Sequence, residues 1–494
     1  MSVFAAIWRR YGTAAAAAVI AVGLSLVVLL AGGGERVRTT PVEPAARYSQ
    51  DAPNVVVVMT DDQALDTMRA MPHTRHLLGR KGVTFRNAVV SFPLCCPSRA
   101  TFLTGQYAHN HRVLDNSAPR GGYERLEAEH TLPVWLSRAG YRTGFVGKFL
   151  NGYGESGGGR DREVPPGWSD WYGLPSAAKR RPFNFQLNEN GKLVDYGDSE
   201  RDYKTQVLAD KATSFIDERA RSKRPFFLWV STSAPHVDYG PAEKSARNPE
   251  PAPRDHGRFE GREPPRRKSV DEKDVSDKPR FIRSRSRLRT AQREEIEKVY
   301  VSQLESLIAV DRLVKQVVGA LRRQGELERT VVMFTSDNGF LRGQHRLDSG
   351  KASPYEEAIR VPLLVRGPGF PEGERAGRLV GNVDLAPTIL DLADAKPDLA
   401  VDGRSMLPFE REIDDRRGEV LLEVYERDHG RFVGLRTRRY VYAEYDGRDT
   451  EMYDLKRDPE QLESVHADAR YADVRARLAD RLSQLRRCAG EACR

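Results

Sequence analysis

Cysteine is scarce in this chain. Four residues among 494 cannot build a disulfide-held scaffold. Long apolar runs are scarcer still, with one uncharged stretch at 13–31 and nothing like it afterwards. The bulk of the chain therefore reads as one soluble body, exported or tethered by its N-terminus. Internal repeats are absent, and charge of one sign is barely in surplus, 79 Lys and Arg against 70 Asp and Glu for a net +9. That surplus favours anionic partners only where it is concentrated. What is plentiful is short Val-, Ile- and Leu-rich runs, which exclude disorder throughout. At roughly 150 residues per domain the length allows about three units, or one large α/β domain with a small appendage.

The run at 13–31 follows Arg9 and Arg10. It is longer than the roughly 7–15 residues of a signal-peptide core and close to the roughly 20 that span a bilayer. A signal-anchor over residues 1–34 is expected, with a cleaved signal peptide or a buried helix as the alternatives, then a linker at 35–52. The flanking arginines do not fix its orientation.

Four apolar runs each stop at a polar cluster. Asn54–Thr60 leads into Asp61 and Asp62, Thr330–Ser336 into Asp337 and Asn338, residues 141–147 into Lys148, and residues 225–235 into His236. Continuous β-branched and aromatic runs, interleaved with helical patterns at 132–139 and 303–321, predict buried parallel strands of an α/β sheet. Ligands of such sheets bind beyond the carboxyl ends of the strands, so these polar groups point at one rim. Asp-Asp or Asp-Asn after a strand is also an ordinary turn or helix cap. Two such pairs after two strands of nearly the same texture favour a ligand set. Oxygen donors without Cys or His suit a hard cation, Ca²⁺ before Mg²⁺ or Mn²⁺.

Between the first strand and Lys148 lies Leu94-Cys95-Cys96-Pro97-Ser98-Arg99, followed by Ala100-Thr101-Phe102-Leu103-Thr104-Gly105. Pro97 marks a first helical turn, which sets Cys95 and Cys96 just ahead of a helix N-terminus, where free N–H groups favour an anion. Two structural cysteines before an ordinary helix satisfy the same residues. The pattern C-x-P-S-R with a following T-G resembles the signature of the type I sulfatases, whose first cysteine is oxidised after translation to formylglycine. Asp61-Asp62, Lys148, His236, Asp337-Asn338, Lys351, Arg360-Val361-Pro362 and the stretch 383–388 follow in that family's order, and the likeness covers roughly residues 54–463. LCCPSR, with 106–111, 147–154 and 363–369, is most similar to the N-acetylglucosamine-6-sulfatases and extracellular endosulfatases.

This resemblance implies an alkaline-phosphatase-like α/β fold, a large mixed and mostly parallel sheet with a smaller C-terminal antiparallel subdomain. It implies formylglycine at Cys95, made by a formylglycine-generating enzyme, with Cys96 as the variable position and a plain buried thiol. One Ca²⁺ is then held by Asp61, Asp62, Asp337 and Asn338 beside residue 95. Arg99 orients the formylglycine hydrate, Lys148 and Lys351 hold sulfate oxygens, and His236 is the general acid. One hydrate hydroxyl attacks sulfur, the alcohol leaves, and the other hydroxyl expels sulfate. Many arylsulfatases carry a His where this chain has Leu150, so Asn151 or His345 is a candidate for part of that work. His345 could equally be solvated in its Gly-rich loop.

The domains expected are a catalytic body at 53–410 and a C-terminal subdomain at 411–494, with strands near 420–423, 431–436 and 440–445 and a final amphipathic helix. Cys488 and Cys493 could close a small disulfide. Residues 241–298 form a charged insertion with 17 Lys and Arg against 12 Asp and Glu. It is expected to be either a solvated surface segment or a loop that steers polyanionic glycans. Its basic strip at 280–289 has almost no interleaved aromatics, which argues against nucleic acid. The expected activity is hydrolysis of sulfated sugars, at the 6-O-sulfate of N-acetylglucosamine or glucosamine. The alternatives are a phosphodiester or phosphonate monoester hydrolase and a non-catalytic, surface-anchored glycan-binding protein.

Overall fold

A computed structural model describes residues 51–155, 160–176, 181–239, 246–409, 418–425, 430–447 and 449–494. The expected N-terminal segment at 1–34 lies outside them, as does nearly all of the linker. Among the described residues no helix is long and apolar enough to cross a membrane.

The strands in chain order are β1 (Asn54–Thr60), β2 (Val83–Val89), β3 (Arg142–Lys148), β4 (Asp170–Leu174), β5 (Phe185–Glu189), β6 (Lys192–Tyr196), β7 (Phe226–Ser231), β8 (Asp238–Tyr239), β9 (Ala246–Arg247), β10 (Thr330–Ser336), β11 (Leu363–Arg366), β12 (Glu374–Gly381), β13 (Glu419–Val424), β14 (Phe432–Thr437), β15 (Tyr440–Tyr445) and β16 (Thr450–Asp454). Ten of them form one sheet in the order β12-β2-β11-β10-β1-β7-β3-β4-β5-β6. Strands β10, β1, β7, β3 and β4 are parallel neighbours, while β11 and β5 run against the rest.

Every residue of β1 is buried because both faces of the sheet are covered. Side chains alternate across a strand. Val55, Val57 and Met59 accordingly pack with the helices Cys95–Thr104, Leu132–Arg138 and Leu385–Leu392. Val56 and Val58 pack with Lys204–Arg219 and the 34-residue helix Thr290–Arg323 on the other face. The charged residues 290–298 are thus the opening turns of that helix rather than part of a loop. On the Cys95 side, Phe145 stacks on Trp171 at 4.5 Å and meets Trp229 edge-on at 5.0 Å. This aromatic floor lies beneath the strand ends.

The smaller sheet, β13-β14-β15-β16, is antiparallel throughout. Leu478, Leu482 and Leu485 of the helix Ala472–Leu485 cluster with Leu421 and Leu435 of this sheet. Phe92, Leu94 and Tyr107, which flank the cysteine helix, join the same cluster. Glu423 of β13 accepts the Ala108 N–H at 3.0 Å, and its own N–H donates to Ser91 O at 2.9 Å. The small sheet therefore holds the approach to Cys95. Cys488 and Cys493 are disulfide-bonded.

Only part of the described insertion is a solvated arm, since most of 256–268 is exposed. Residues 269–289 lie against the loop 341–350 through a Val270–Gln344 bridge, Asp271 N donating to Gly343 O at 2.8 Å, and His345 N donating to Ser269 O at 2.7 Å. Lys278 is fully buried and donates to Leu462 O at 2.6 Å, tying the insertion to the C-terminal region. Two cations of the basic strip are paired, Arg287 with Asp271 at 2.7 Å and Arg283 with Asp449 at 3.4 Å. Part of the charge in this segment serves packing, since the buried Asp271 and Glu272 each have a cation beside them.

Candidate active site

Parallel pairing of β1 with β10 sets Thr60 opposite Ser336, so the next residues of both strands emerge together. Asp62 sits at φ 61°, in the left-handed region that Asp tolerates better than most residues. Its N–H donates to Asp337 Oδ1 at 3.2 Å. Lys148 ends β3, and His236 follows β7. The helix Cys95–Thr104 begins at Cys95 itself rather than beyond it, closed by Ser98 N donating to Leu94 O at 3.0 Å. Pro97 is tolerated in the first turn because its missing N–H has no intrahelical partner there.

The side chains expected from the sequence converge. Cys95 Sγ lies 3.3 Å from Asp61 Oδ1 and 4.0 Å from Asp62 Oδ1. Lys351 Nζ donates to Cys95 Sγ at 2.9 Å and is ion-paired with Asp62. Lys148 is ion-paired with Asp61, and His236 Nε2 lies 3.5 Å from Asp62 Oδ2. Asn338 Nδ2 donates to Asp62 Oδ1 at 2.6 Å. Lys351 is brought in by its loop, in which Leu341 bridges Gly350 and Ala352 N donates to Pro93 O at 2.9 Å.

Arg99 joins the cluster through Asp337. Its Nε donates to Asp337 Oδ2 at 2.8 Å, and Nη1 donates to Lys148 O at 2.7 Å and to Ser231 Oγ at 2.6 Å. The guanidinium thus locks the ends of β3, β7 and β10 together. Ser231 was not expected from the sequence. A serine ending an apolar strand carries no signal until an arginine is placed over it.

The other expectations are met differently. Cys96 is more than a plain buried thiol: its Sγ accepts the Asn151 N–H at 3.1 Å, and its own N–H donates to Asn116 Oδ1 at 2.9 Å. Asn151 therefore supports Cys96. His345 is neither solvated nor part of the Cys95 cluster. It is fully buried, with Nδ1 2.7 Å from Glu272 Oε2 and its ring stacked on Tyr355 at 3.8 Å. The insertion supplies that carboxylate, which spacing alone could not reveal.

Three buried carboxylates face three buried cations, and the electrostatics follow. Burial raises the cost of ionising Asp61, but Lys148, His236, Arg99 and Lys351 together hold its carboxyl well below the usual range. Asp337 is pushed up to about 6 by burial and by the charge of Asp61, against the pull of Arg99. Burial and Asp61 push the Cys95 thiol well up. His236 is drawn down by burial, which outweighs Asp61 and Asp62. His236 Nδ1 is 2.6 Å from Val237 O, an acceptor only, so Nδ1 carries a proton and Nε2 is the exchanging position.

The residues fit a hard cation. Asp61, Asp62 and Cys95 offer ligand atoms within 4.8 Å of one another, with His236 in the same group. Asn338 Oδ1 is buried without a hydrogen-bond partner, although an amide oxygen in that position ordinarily has one. An orphaned oxygen beside three crowded carboxylates is what an oxygen-ligated dication satisfies.

Comparison with known proteins agrees with this geometry. The Sulfatase family model matches residues 53–395, and one described as N-sulphoglucosamine sulphohydrolase, C-terminal, matches residues 343–488. N-acetylglucosamine-6-sulfatase of Capra hircus is 33% identical over 92% of this chain and 86% of its own length. An extracellular sulfatase homologue of Drosophila melanogaster is 34% identical over 74% of this chain and 32% of its own length. A protein solved in complex with its substrate D-glucosamine-2-N,6-O-disulfate has the same alkaline-phosphatase-like fold, with a TM-score of 0.72 at 24% identity, covering 88% of this chain and 97% of that one. The chain belongs to the sulfatase family and is a sulfuric ester hydrolase.

Proposed function

We propose that the protein removes the 6-O-sulfate of N-acetylglucosamine or glucosamine residues, using a formylglycine formed at Cys95 and one Ca²⁺ held by Asp61, Asp62, Asp337 and Asn338. The observation that carries this reading is the convergence on Cys95 Sγ of two carboxylates and Lys351 at the start of a buried helix. The sugar assignment rests on the N-acetylglucosamine-6-sulfatases of Capra hircus and Homo sapiens, the latter 32% identical over 90% of this chain.

A formylglycine hydrate supplies a hydroxyl nucleophile and a second hydroxyl to release sulfate, and a dication supplies positive charge for the sulfate oxygens. The chain's own residues do the rest. Without a dication the carboxylates and cations are balanced, and with one the cluster gains the net positive charge that a sulfate monoester anion needs. Lys351 Nζ already sits at the Cys95 side chain and would turn to a sulfate oxygen. Lys148 would do the same from the end of β3. His236, with Nδ1 held by the Val237 carbonyl, would present Nε2 to the departing alkoxide and donate from it when the ring is protonated. Arg99 keeps Asp337 and the strand ends in place.

The test is kcat/KM on 6-O-sulfated N-acetylglucosamine against 4-O-sulfated N-acetylgalactosamine, an aryl sulfate and a phosphonate monoester. A site built to hydrogen-bond the sugar hydroxyls should favour the first by orders of magnitude. Preference for the second or third removes the sugar assignment, and preference for the phosphonate removes the whole reading.

A further inference from the structure

A cleft of about 790 Å³ lies between the edge of the large sheet and the small sheet, and the residues that line it include none of the carboxylate cluster. Its cations come from separate elements: Arg86 on β2, Arg375 and Arg378 on β12, Arg360 just past the helix Glu356–Ile359, Arg436 on β14, Arg438 and Arg439 in the turn before β15, and Lys456 past β16. The acidic residues of its lining are Glu356 and Glu374. Glu356 is already engaged, taking Arg436 at 2.7 and 3.1 Å and Arg360 at 3.8 Å. Arg86, Arg375 and Lys456 are exposed and make no ion pair among the described residues. Arg360 shows the imbalance: burial, aided by Arg436, Arg267 and Arg86, draws its guanidinium down despite Glu356.

Positive charge is thus spread over a cleft much wider than one sulfate group. Guanidinium forks match sulfate oxygens two at a time, so the lining suits several anionic groups spaced along one chain. Phe409 is the aromatic residue of the lining, and Arg378 lies over its ring at 4.4 Å, which leaves no stacking platform for bases. We propose that this cleft is a second, non-catalytic binding site for a sulfated polysaccharide, holding anionic groups remote from the ester being cleaved. The proposal rests on the sulfated-sugar reading of the active site.

The test uses the full chain and a long heparin oligosaccharide, with affinity measured over a range of ionic strength. In the combined variant Arg86→Glu, Arg375→Glu and Lys456→Glu, heparin should bind at least about tenfold more weakly and with a shallower salt dependence. kcat/KM on monosaccharide 6-O-sulfate should be unchanged, since none of the three touches the Cys95 cluster. If charge reversal prevents folding, the corresponding Gln variant should show the same direction of change. Unaltered heparin affinity in the folded variant overturns the proposal, as does duplex DNA binding the unaltered protein as tightly as heparin. Failure of the active-site reading shows separately, as no sulfate release from the monosaccharide whatever the heparin result.

Discussion

The amide of Asn338 donates from Nδ2 to Asp62 while Oδ1 is buried and unpartnered. Asn338→Ala should therefore lower Ca²⁺ affinity by at least about tenfold while costing about 2 kcal/mol of stability, the scale of the two buried hydrogen bonds its Nδ2 donates to Asp62 and to Gly339 O. Calcium titration calorimetry beside a melting curve checks both, and unchanged Ca²⁺ binding would remove Asn338 from the ligand set. Asp337→Ala should behave differently. It strips the partner from a fully buried Arg99, a loss of roughly 3–5 kcal/mol, so metal loss and unfolding would be confounded there. The two adjacent cysteines separate just as cleanly. Cys95→Ala should abolish turnover with the melting temperature retained. Cys96→Ser keeps an acceptor for the Asn151 N–H and should keep activity within about tenfold, since a net hydrogen bond is a modest term. The reverse pattern in an activity assay would shift the motif by one residue. The pattern C-x-P-S-R made Cys95 legible. The partner of Cys96 was not, because it lies on a loop 55 residues away.

Strand ends were the most readable elements, since β1 and β10 announce themselves by unbroken apolar runs stopped by acids. Strands β2 and β12 were not foreseen. Arg86, Asn87, Glu374 and Arg375 interrupt their apolar pattern because these strands lie toward one edge of the sheet. The insertion was legible as a composition shift but not as a buttress, because the meaning of Glu272 and Lys278 depends on His345, Leu462 and the Lys351 loop they meet. That contact decides the result of a deletion. Removing residues 262–289 should reduce kcat/KM on a small aryl sulfate and on a polymeric substrate alike, because the loop carrying Lys351 loses its support. A loss confined to the polymer would return the segment to a steering role.

For the molecule as a whole, acid should weaken folding through His111. This ring is buried, with Nδ1 accepting the Val113 N–H at 3.1 Å and Nε2 donating to Thr101 Oγ1 at 3.1 Å, so it is held neutral. Burial, aided by nearby His109, lowers its pKa to about 3. The unfolded chain takes up that proton below about pH 6.5 and the folded chain only near pH 3. Stability is therefore lost progressively as pH falls through that window. Melting temperatures between pH 7 and pH 4 should decline, less steeply in His111→Gln, and equal slopes would remove His111 as a cause. At this scale the α/β class and the two sheets followed from the order of apolar runs. The placement of excess charge did not, because only part of the insertion's charge is taken up in ion pairs such as Arg287 with Asp271 and Lys278 with Glu272, which composition alone does not show. The whole account converges on the chemical state of residue 95, which peptide mass spectrometry across residues 95–99 of active protein reads directly. The account predicts the mass loss of a thiol replaced by an aldehyde at position 95 with Cys96 unmodified. An intact Cys95 thiol in fully active protein would contradict it.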